Sequence, residues 1–281
     1  MSKRKLERYA VDAALYLVFG IGAVVVILPY LWMVSKSFTP EGEIFTTTLR
    51  FLPQHPTLGN YLAVFAQKLV PRNFFNSVVV SVLETSGVIV TSVLAGYAFA
   101  RLEFPGRHTL FLFILGVMMI PWPVTLIPSF LVIRRLGWVN TYQGIVAPHV
   151  VMSFGIFLMR QFFLSIPKEL EEAGFIDGCN RLRSLVQIAV PLSGPAVATL
   201  AIFAFTNSWN DFMWPMITTT KMEIRTIQVA LAVLRSSGGA ATEPWGQVMA
   251  VATLASLPTV VVYLTFQRYF QKGIVMTGLK G

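Results

Sequence analysis

The chain has 281 residues, 55% hydrophobic and only 12% charged, with a mean hydropathy of +0.66. Soluble domains carry about twice that charged fraction, so a soluble class is excluded and an integral membrane protein is implied. The net charge of +9 suits loops beside anionic lipid. The basic residues are scattered rather than gathered between stacking aromatics, which argues against nucleic acid.

The N-terminus, "MSKRKLERYAVDAALYLVFGIGAVVVILPYLWMV", opens with a basic stretch like a signal peptide. The uncharged run that follows is too long for the h-region of about 7–15 residues that a signal peptide carries, and no clear cleavage site follows it. A retained first span is expected. A membrane-crossing helix needs about 20 mostly apolar residues. Six candidates meet this: Ala13 to Val34, Phe74 to Ala100, Thr109 to Ile133, Tyr142 to Met159, Leu192 to Pro215 and Gln247 to Phe266. The expected fold is all-α, a polytopic membrane protein with six transmembrane helices. A barrel is not indicated, because alternating short segments are lacking. The expected organisation is a cytoplasmic N-terminus over 1–12, a six-span transmembrane domain over 13–271 that includes the loop 165–191, and a cytoplasmic tail over 272–281.

Orientation follows from Lys and Arg near the span ends. With the N-terminus inside, thirteen of the 22 basic residues fall on the inner side. Both termini are then cytoplasmic. Two long outer loops are expected, about Lys36 to Asn73 and Met216 to Gly246, rich in Pro, Thr and Gly. Pro121, Pro123 and Pro128 each remove a helix hydrogen bond, so the third span should be kinked or broken. Whether that kink opens a path or fits a neighbour stays open.

The stretch "SIPKELEEAGFIDGCNRLRSLVQIAVP", 165–191, is charged and amphipathic between two apolar runs. Its spacing predicts two short helices. Ser165 is placed to cap the first and Pro167 suits its first turn. Asp177-Gly178 ends it, with Gly178 supplying the backbone freedom of a C-cap. Asn180 is placed to cap the second helix, which runs toward Pro191. Glu169, Glu171 and Glu172 offer carboxylates to a basic partner, and Ala173, Gly174 and Gly178 permit close approach. Such a helix can plug a socket in a second protein. The alternative, a loop helix lying on lipid headgroups, fits an acidic helix poorly. The lone Cys179 gives no disulfide framework.

Set on Glu171, this stretch resembles the coupling loop of binding-protein-dependent ABC importer permeases, whose pattern is E-A-A-x3-G-x9-I-x-L-P. Ala173, Asp177-Gly178, Ile188 and Val190-Pro191 carry the likeness, with Glu172 at the first Ala position and Val190 in place of Leu. The stretches "SKSFTP", "NSVVVSVLET", "GYAFARLEFPGR", "MIPWPVTLIPSFLVIRRLGWVNT", "FLMRQFF", "NSWNDFMWP" and "QRYFQKGIVMTGLKG" are similar to maltose-type carbohydrate-uptake permeases, in particular the shorter, six-span partner. The resemblance implies a type I ABC importer permease fold and alternating access driven by ATP. It implies a second permease, two cytoplasmic ATPase copies and an extracytoplasmic solute-binding protein as partners. It further implies that Glu171 pairs with a basic ATPase residue, that Gly178 forms the turn, and that the tail at Gly278, Lys280 and Gly281 reaches between the ATPases. The chain lacks G-x-x-x-x-G-K-[ST], so it has no Walker A loop of its own. ATP and Mg would be bound by the partner ATPase, no cofactor is expected here, and the chain is not expected to be an enzyme.

Glu84, inside the second span, must face protein or water, because a mid-bilayer charge costs about 2.5–3.5 kcal/mol. It reads either as path-lining or, preferably, as an interhelix hydrogen-bond partner of Ser or Thr. Asn207, Trp209, Asn210 and Asp211 combine aromatic, amide and carboxylate groups suited to sugar hydroxyls, and equally suit packing or an interfacial anchor. His149 reads as a buried helix-contact histidine, since no other His or Cys is spaced to share a metal. An intramembrane enzyme would need clustered catalytic groups, which the separated His55, His108 and His149 do not supply. A stand-alone ion-coupled transporter would need more intramembrane carboxylates. The solute stays open between sugars, oligosaccharides and glycerol 3-phosphate.

Overall fold

The computed structural model describes residues 3–44, 50–236 and 244–278, and of their side chains residue 9 and those from 11 to 266. Among these the chain is all helix and loop, without strands. In chain order the helices are α1 Lys3–Ser37, α2 Gly59–Ala66, α3 Leu69–Arg101, α4 Arg107–Met118, α5 Trp122–Arg135, α6 Tyr142–Val146 and α7 Ser153–Ser165. There follow α8 Lys168–Ile176, α9 Arg181–Ser184, α10 Val190–Leu192, α11 Gly194–Asn210, α12 Met213–Thr218, α13 Ile227–Ser236 and α14 Trp245–Gly278. A π-helical stretch, Leu185–Ala189, joins α9 to α10.

Three helices are alone long and apolar enough to cross a membrane: α1 over Val11–Ser37, α3, and α14 over Trp245–Phe266. Three bent pairs satisfy the same test together: α4 with α5 at 103°, Tyr142–His149 with α7 at 44°, and Arg181–Leu192 with α11 at 81°. Counting each pair as one crossing gives up to six. The third expected span is therefore far more than kinked. Its break falls where Pro121, extended at ψ 131°, starts α5, and Pro123 occupies the new first turn. Pro128 lies inside α5, which continues past it.

The chain divides into two compact units, residues 1–68 with 231–256, and residues 69–230 with 257–281. In the first unit, α1 exposes its apolar side chains over nearly its whole length, as lipid contact requires. Its C-terminal end is tied down. Asn60 donates to the Ser37 and Thr39 carbonyls at 2.9 and 2.8 Å, and the Tyr61 hydroxyl meets Ser37 Oγ at 2.7 Å. The stretch "SKSFTP" is thus a clasp for α2.

In the second unit, α3 is the axis. It packs along α7 and α11 around Val88, Val93, Tyr97, Met159, Phe163 and Leu200. Small residues let the helices approach, as membrane helix pairs commonly do. A Cβ on Gly96 would sit 2.7 Å from Met159 Cβ and 3.0 Å from the Arg160 backbone nitrogen. At the other end of α3, Asn73 and Asn76 donate to the carbonyls of Met222, Glu223 and Arg225 at 2.8–2.9 Å. Ser77 Oγ accepts from Ile227 N at 2.8 Å, and Tyr142 donates to Asn76 at 2.6 Å. The second long loop is therefore held against α3 by side chains rather than left loose. Its stretch 237–243 lies outside the described residues.

Gly96→Ala should lower the thermal unfolding midpoint in detergent, with an overpacking cost of about 1–3 kcal/mol. Gly116→Ala on α4, where an added Cβ meets nothing within 4 Å, should leave the midpoint unchanged.

Candidate functional site

Two features of the second unit carry the functional candidates. The first is the loop 165–191. Helix α8 forms as expected, but Ser165 does not cap it: its hydroxyl donates back to the Phe162 carbonyl at 2.7 Å, and Pro167 occupies the N-cap position. The end of α8 follows the expectation. Gly178 has φ +84°, Cys179 N bonds the Gly174 carbonyl at 2.9 Å, and Gly178 N bonds that of Phe175 at 3.1 Å. This paired closure is the Schellman pattern, in which a left-handed residue is nearly always glycine. Asn180 Oδ1 then accepts from Arg183 N at 2.8 Å and caps α9.

Glu171 departs from its expected role. It is 4% exposed, turned into the chain. Its Oε1 lies 2.7 Å from Arg101 Nε, an ion pair without the alignment of a linear hydrogen bond. Its Oε2 accepts from the Tyr97 hydroxyl at 2.7 Å, and Arg101 also donates to the Ile166 carbonyl at 2.5 Å. Both charged side chains are buried, so neither has a face to offer a basic residue of another protein. Counting back from Gly178 explains this. Three residues, Phe175 to Asp177, separate Gly178 from Gly174, which puts the motif's glutamate at Glu172 and its two small residues at Ala173 and Gly174. The alignment on Glu171 is one residue early. Glu172 is exposed, whereas Gly174 is buried with the Ile188 side chain above it: a Cβ there would lie 2.6 Å from Ile188 Cδ1. Leu185 and Ala189 anchor the rest of the loop in the core. What α8 presents outward is Lys168, Glu169, Leu170, Glu172, Ala173 and Ile176, with Ile176 at 87% exposure and Asp177 exposed at the C-cap.

The second feature is a cavity of about 640 Å³. Among its lining residues are Glu84 on α3, Trp122 and Ser129 on α5, His149, Asn207 and Ser208 on α11, Asp211 and Trp214. Three helix breaks converge on it. Trp122 starts α5, Pro148 to Met152 span the bend between α6 and α7, and Asp211 ends α11 in an extended conformation at ψ 121°. Irregular backbone at membrane depth is tolerated where it lines a cavity. His149 Nδ1 lies 3.4 Å from Glu84 Oε1 and its ring meets Trp214 edge-on at 5.8 Å. Trp214 is fixed by donating to the Gly144 and Ile145 carbonyls, each at 3.1 Å.

Glu84, Asn207 and Asp211 thus reach the cavity, and Glu84 finds a histidine instead of the expected Ser or Thr. Trp209 and Asn210 do not line it. Trp209 is 1% exposed, stacked on Phe205 at 5.7 Å and edge-on to Phe74 at 5.4 Å. Asn210 turns away and donates to the Thr206 carbonyl at 2.9 Å. One helical turn carries Asn207 and Asp211, four apart, to the same side, and sends Trp209 and Asn210 elsewhere. Trp122 and His149 joined the site unforeseen, and only three-dimensional convergence could have grouped them. Gly278 is the last helical residue of α14, while Lys280 and Gly281 lie outside the described residues. No group of three or more metal-ligating side chains occurs among the described residues.

Residues 87–276 match the binding-protein-dependent transport system inner membrane component family. The chain belongs to this family. The permease is 34% identical to the trehalose/maltose transport system permease protein of Thermococcus litoralis, over 92% of this chain and 93% of that one. It is also 34% identical to an sn-glycerol-3-phosphate transport system permease protein of Agrobacterium fabrum, over 93% and 95%. Its fold is that of a chain from a bacterial ABC transporter involved in import of the acidic polysaccharide alginate, with a TM-score of 0.86 and 25% identity over 96% and 99%. The permease fold of type I importers is therefore established, in a multi-pass membrane protein.

Breaking the permease's buried pair from one side leaves an unpaired charge, which costs about 3–5 kcal/mol. Arg101→Ala and Glu171→Ala should each lower the unfolding midpoint strongly, and the double variant should cost little more than either alone. Glu172→Ala should leave the midpoint unmoved. A double-mutant cycle by thermal unfolding in detergent checks all three.

Proposed function

We propose that this permease forms one side of the translocation path of an ABC importer for sugars or related polyhydroxylated solutes, and that a separate ATPase drives it through α8. The observation that carries the reading is the build of α8, a short helix that exposes Leu170, Ala173 and Ile176 among the charged Lys168, Glu169 and Glu172 and is locked to α3 through the buried Glu171. An exposed Ile176 beside Leu170 and Ala173 is poorly matched to water and well matched to a protein socket. Glu172 adds a carboxylate at its rim. The relatives' names support sugar-like solutes, and the absent Walker A loop supports an external energy source.

The mechanism is alternating access. ATP and Mg bind the partner ATPases, whose closure displaces α8. Displacement of α8 pulls Glu171, and Arg101 and Tyr97 transmit the pull to the end of α3. Motion of α3 against α7 and α11 changes the cavity beside Glu84 and His149. A second permease completes the cavity, and an extracytoplasmic binding protein delivers the solute. The termini and α8 face the cytoplasm, and the complex sits in the bacterial cytoplasmic membrane. No bond is made or broken by this chain.

Ile176→Asp should reduce the ATPase that co-purifies with the tagged permease by about tenfold, equivalent to about 1.4 kcal/mol, while the second permease stays bound. Glu172→Ala should weaken the same capture less. Wild-type permease that purifies without any ATPase would overturn the reading.

A further inference from the structure

The cavity has a sign of charge. Its ionisable lining residues are Glu84, His149 and Asp211, and no Lys or Arg is among the residues that line it. With His149 neutral, two carboxylates face the space. With His149 protonated against Glu84, one carboxylate charge remains in excess. With both carboxylates ionised, the lining is net negative in either case. A narrow site walled by low-dielectric protein focuses such a field, changing local ion concentrations by about ten- to a thousandfold.

The rest of the lining is neutral and suited to hydroxyls. Asn207 offers an amide, Ser129 a hydroxyl, and Trp122, 40% exposed, an aromatic ring. Ser208 lies along the same space at 8% exposure, with its Oγ shut off from it.

We propose that the cavity selects by charge: it passes neutral polyhydroxylated solutes and disfavours anionic ones such as sugar phosphates, sulfonates and uronates. This rests on the transport reading given above and narrows it. Relatives of this fold serve both kinds of solute by name, so family membership leaves the sign of the solute open and the lining decides it. Hydroxyl pairs satisfy Glu84, Asp211 and Asn207 together, whereas a phosphate would meet carboxylates with no cation from this chain beside them.

The field is read directly by thiol labelling. In the full-length chain with Cys179→Ser, a Ser129→Cys thiol inside the cavity is modified by methanethiosulfonates of similar size, one cationic and one anionic. The ratio of cationic to anionic rate should fall about tenfold when Glu84→Gln and Asp211→Asn are combined, and about threefold for each alone, so that failure of one variant to fold leaves the other. An unchanged ratio overturns the proposal, and so does a thiol that neither reagent reaches. Transport supplies the second readout. In vesicles holding the whole transporter, uptake of a neutral oligosaccharide is compared with that of the same sugar carrying one terminal carboxylate. The same binding protein delivers both, so its own preference cancels between wild type and variants. The variants should narrow the wild-type preference by fivefold or more, on the order of the field effect. Vesicles that take up neither sugar, with a labelling ratio that still depends on Glu84 and Asp211, overturn the transport reading and not the field.

Discussion

The Arg101–Glu171 pair is the constraint on which the second unit turns. A cation at the C-terminal end of α3 is favourable by itself, because the carbonyl end of a helix attracts positive charge. Burial then makes the partner obligatory. Glu171 meets Arg101 and Tyr97 together, and Arg101 also closes on the Ile166 carbonyl, so three chain segments are joined at one point: α3, the end of α7 and α8. Just inside that joint, the tight contact at Gly96 keeps α3 on α7. At the opposite end of α3, Asn73, Asn76 and Ser77 bind the far loop. α3 is thus fastened at both ends and along its length, and it carries Glu84 between those fastenings.

The same physics shapes the cavity. A straight apolar helix has no reason to expose backbone in a membrane, and from Leu17 to Leu28 α1 exposes only apolar side chains. Two of the broken pairs behave differently: their breaks, before Trp122 and at Pro148 to Met152, gather on one space with the extended end of α11. Polar groups there either bond locally, as Trp214 does with the Gly144 and Ile145 carbonyls, or face the cavity, as Asp211 does. Breaks and cavity are one feature seen from the backbone and from the side chains.

Local chemistry was legible in the sequence where its cause was local. Gly178, Asn180 and the C-terminal end of α8 follow from capping rules that need only a few neighbours, whereas the expected cap at Ser165 does not form. The proline cluster announced a break in the third span, but not the 103° turn, which depends on what the two halves pack against. Two adjacent glutamates look alike in a sequence, and only the phase of α8 against α3 separates the buried Glu171 from the exposed Glu172. The spacing back from Gly178 contained that phase. Trp209 and Trp214 likewise carry the same side chain, but one stacks in a core and the other walls the cavity. The Glu84–His149 contact joins residues far apart in the chain and left no local mark.

The closure of α8 has a consequence for assembly. Its Schellman turn, its asparagine cap, its buried pair and the Ile188 contact over Gly174 are all made within one polypeptide. The helix is therefore shaped before any other subunit arrives. A preorganised element surrenders little conformational entropy when it is captured, and what a partner gains at the exposed edge is retained as affinity. On the proposed docking of an ATPase at that edge, exchange is limited by contacts alone, because no folding step accompanies it.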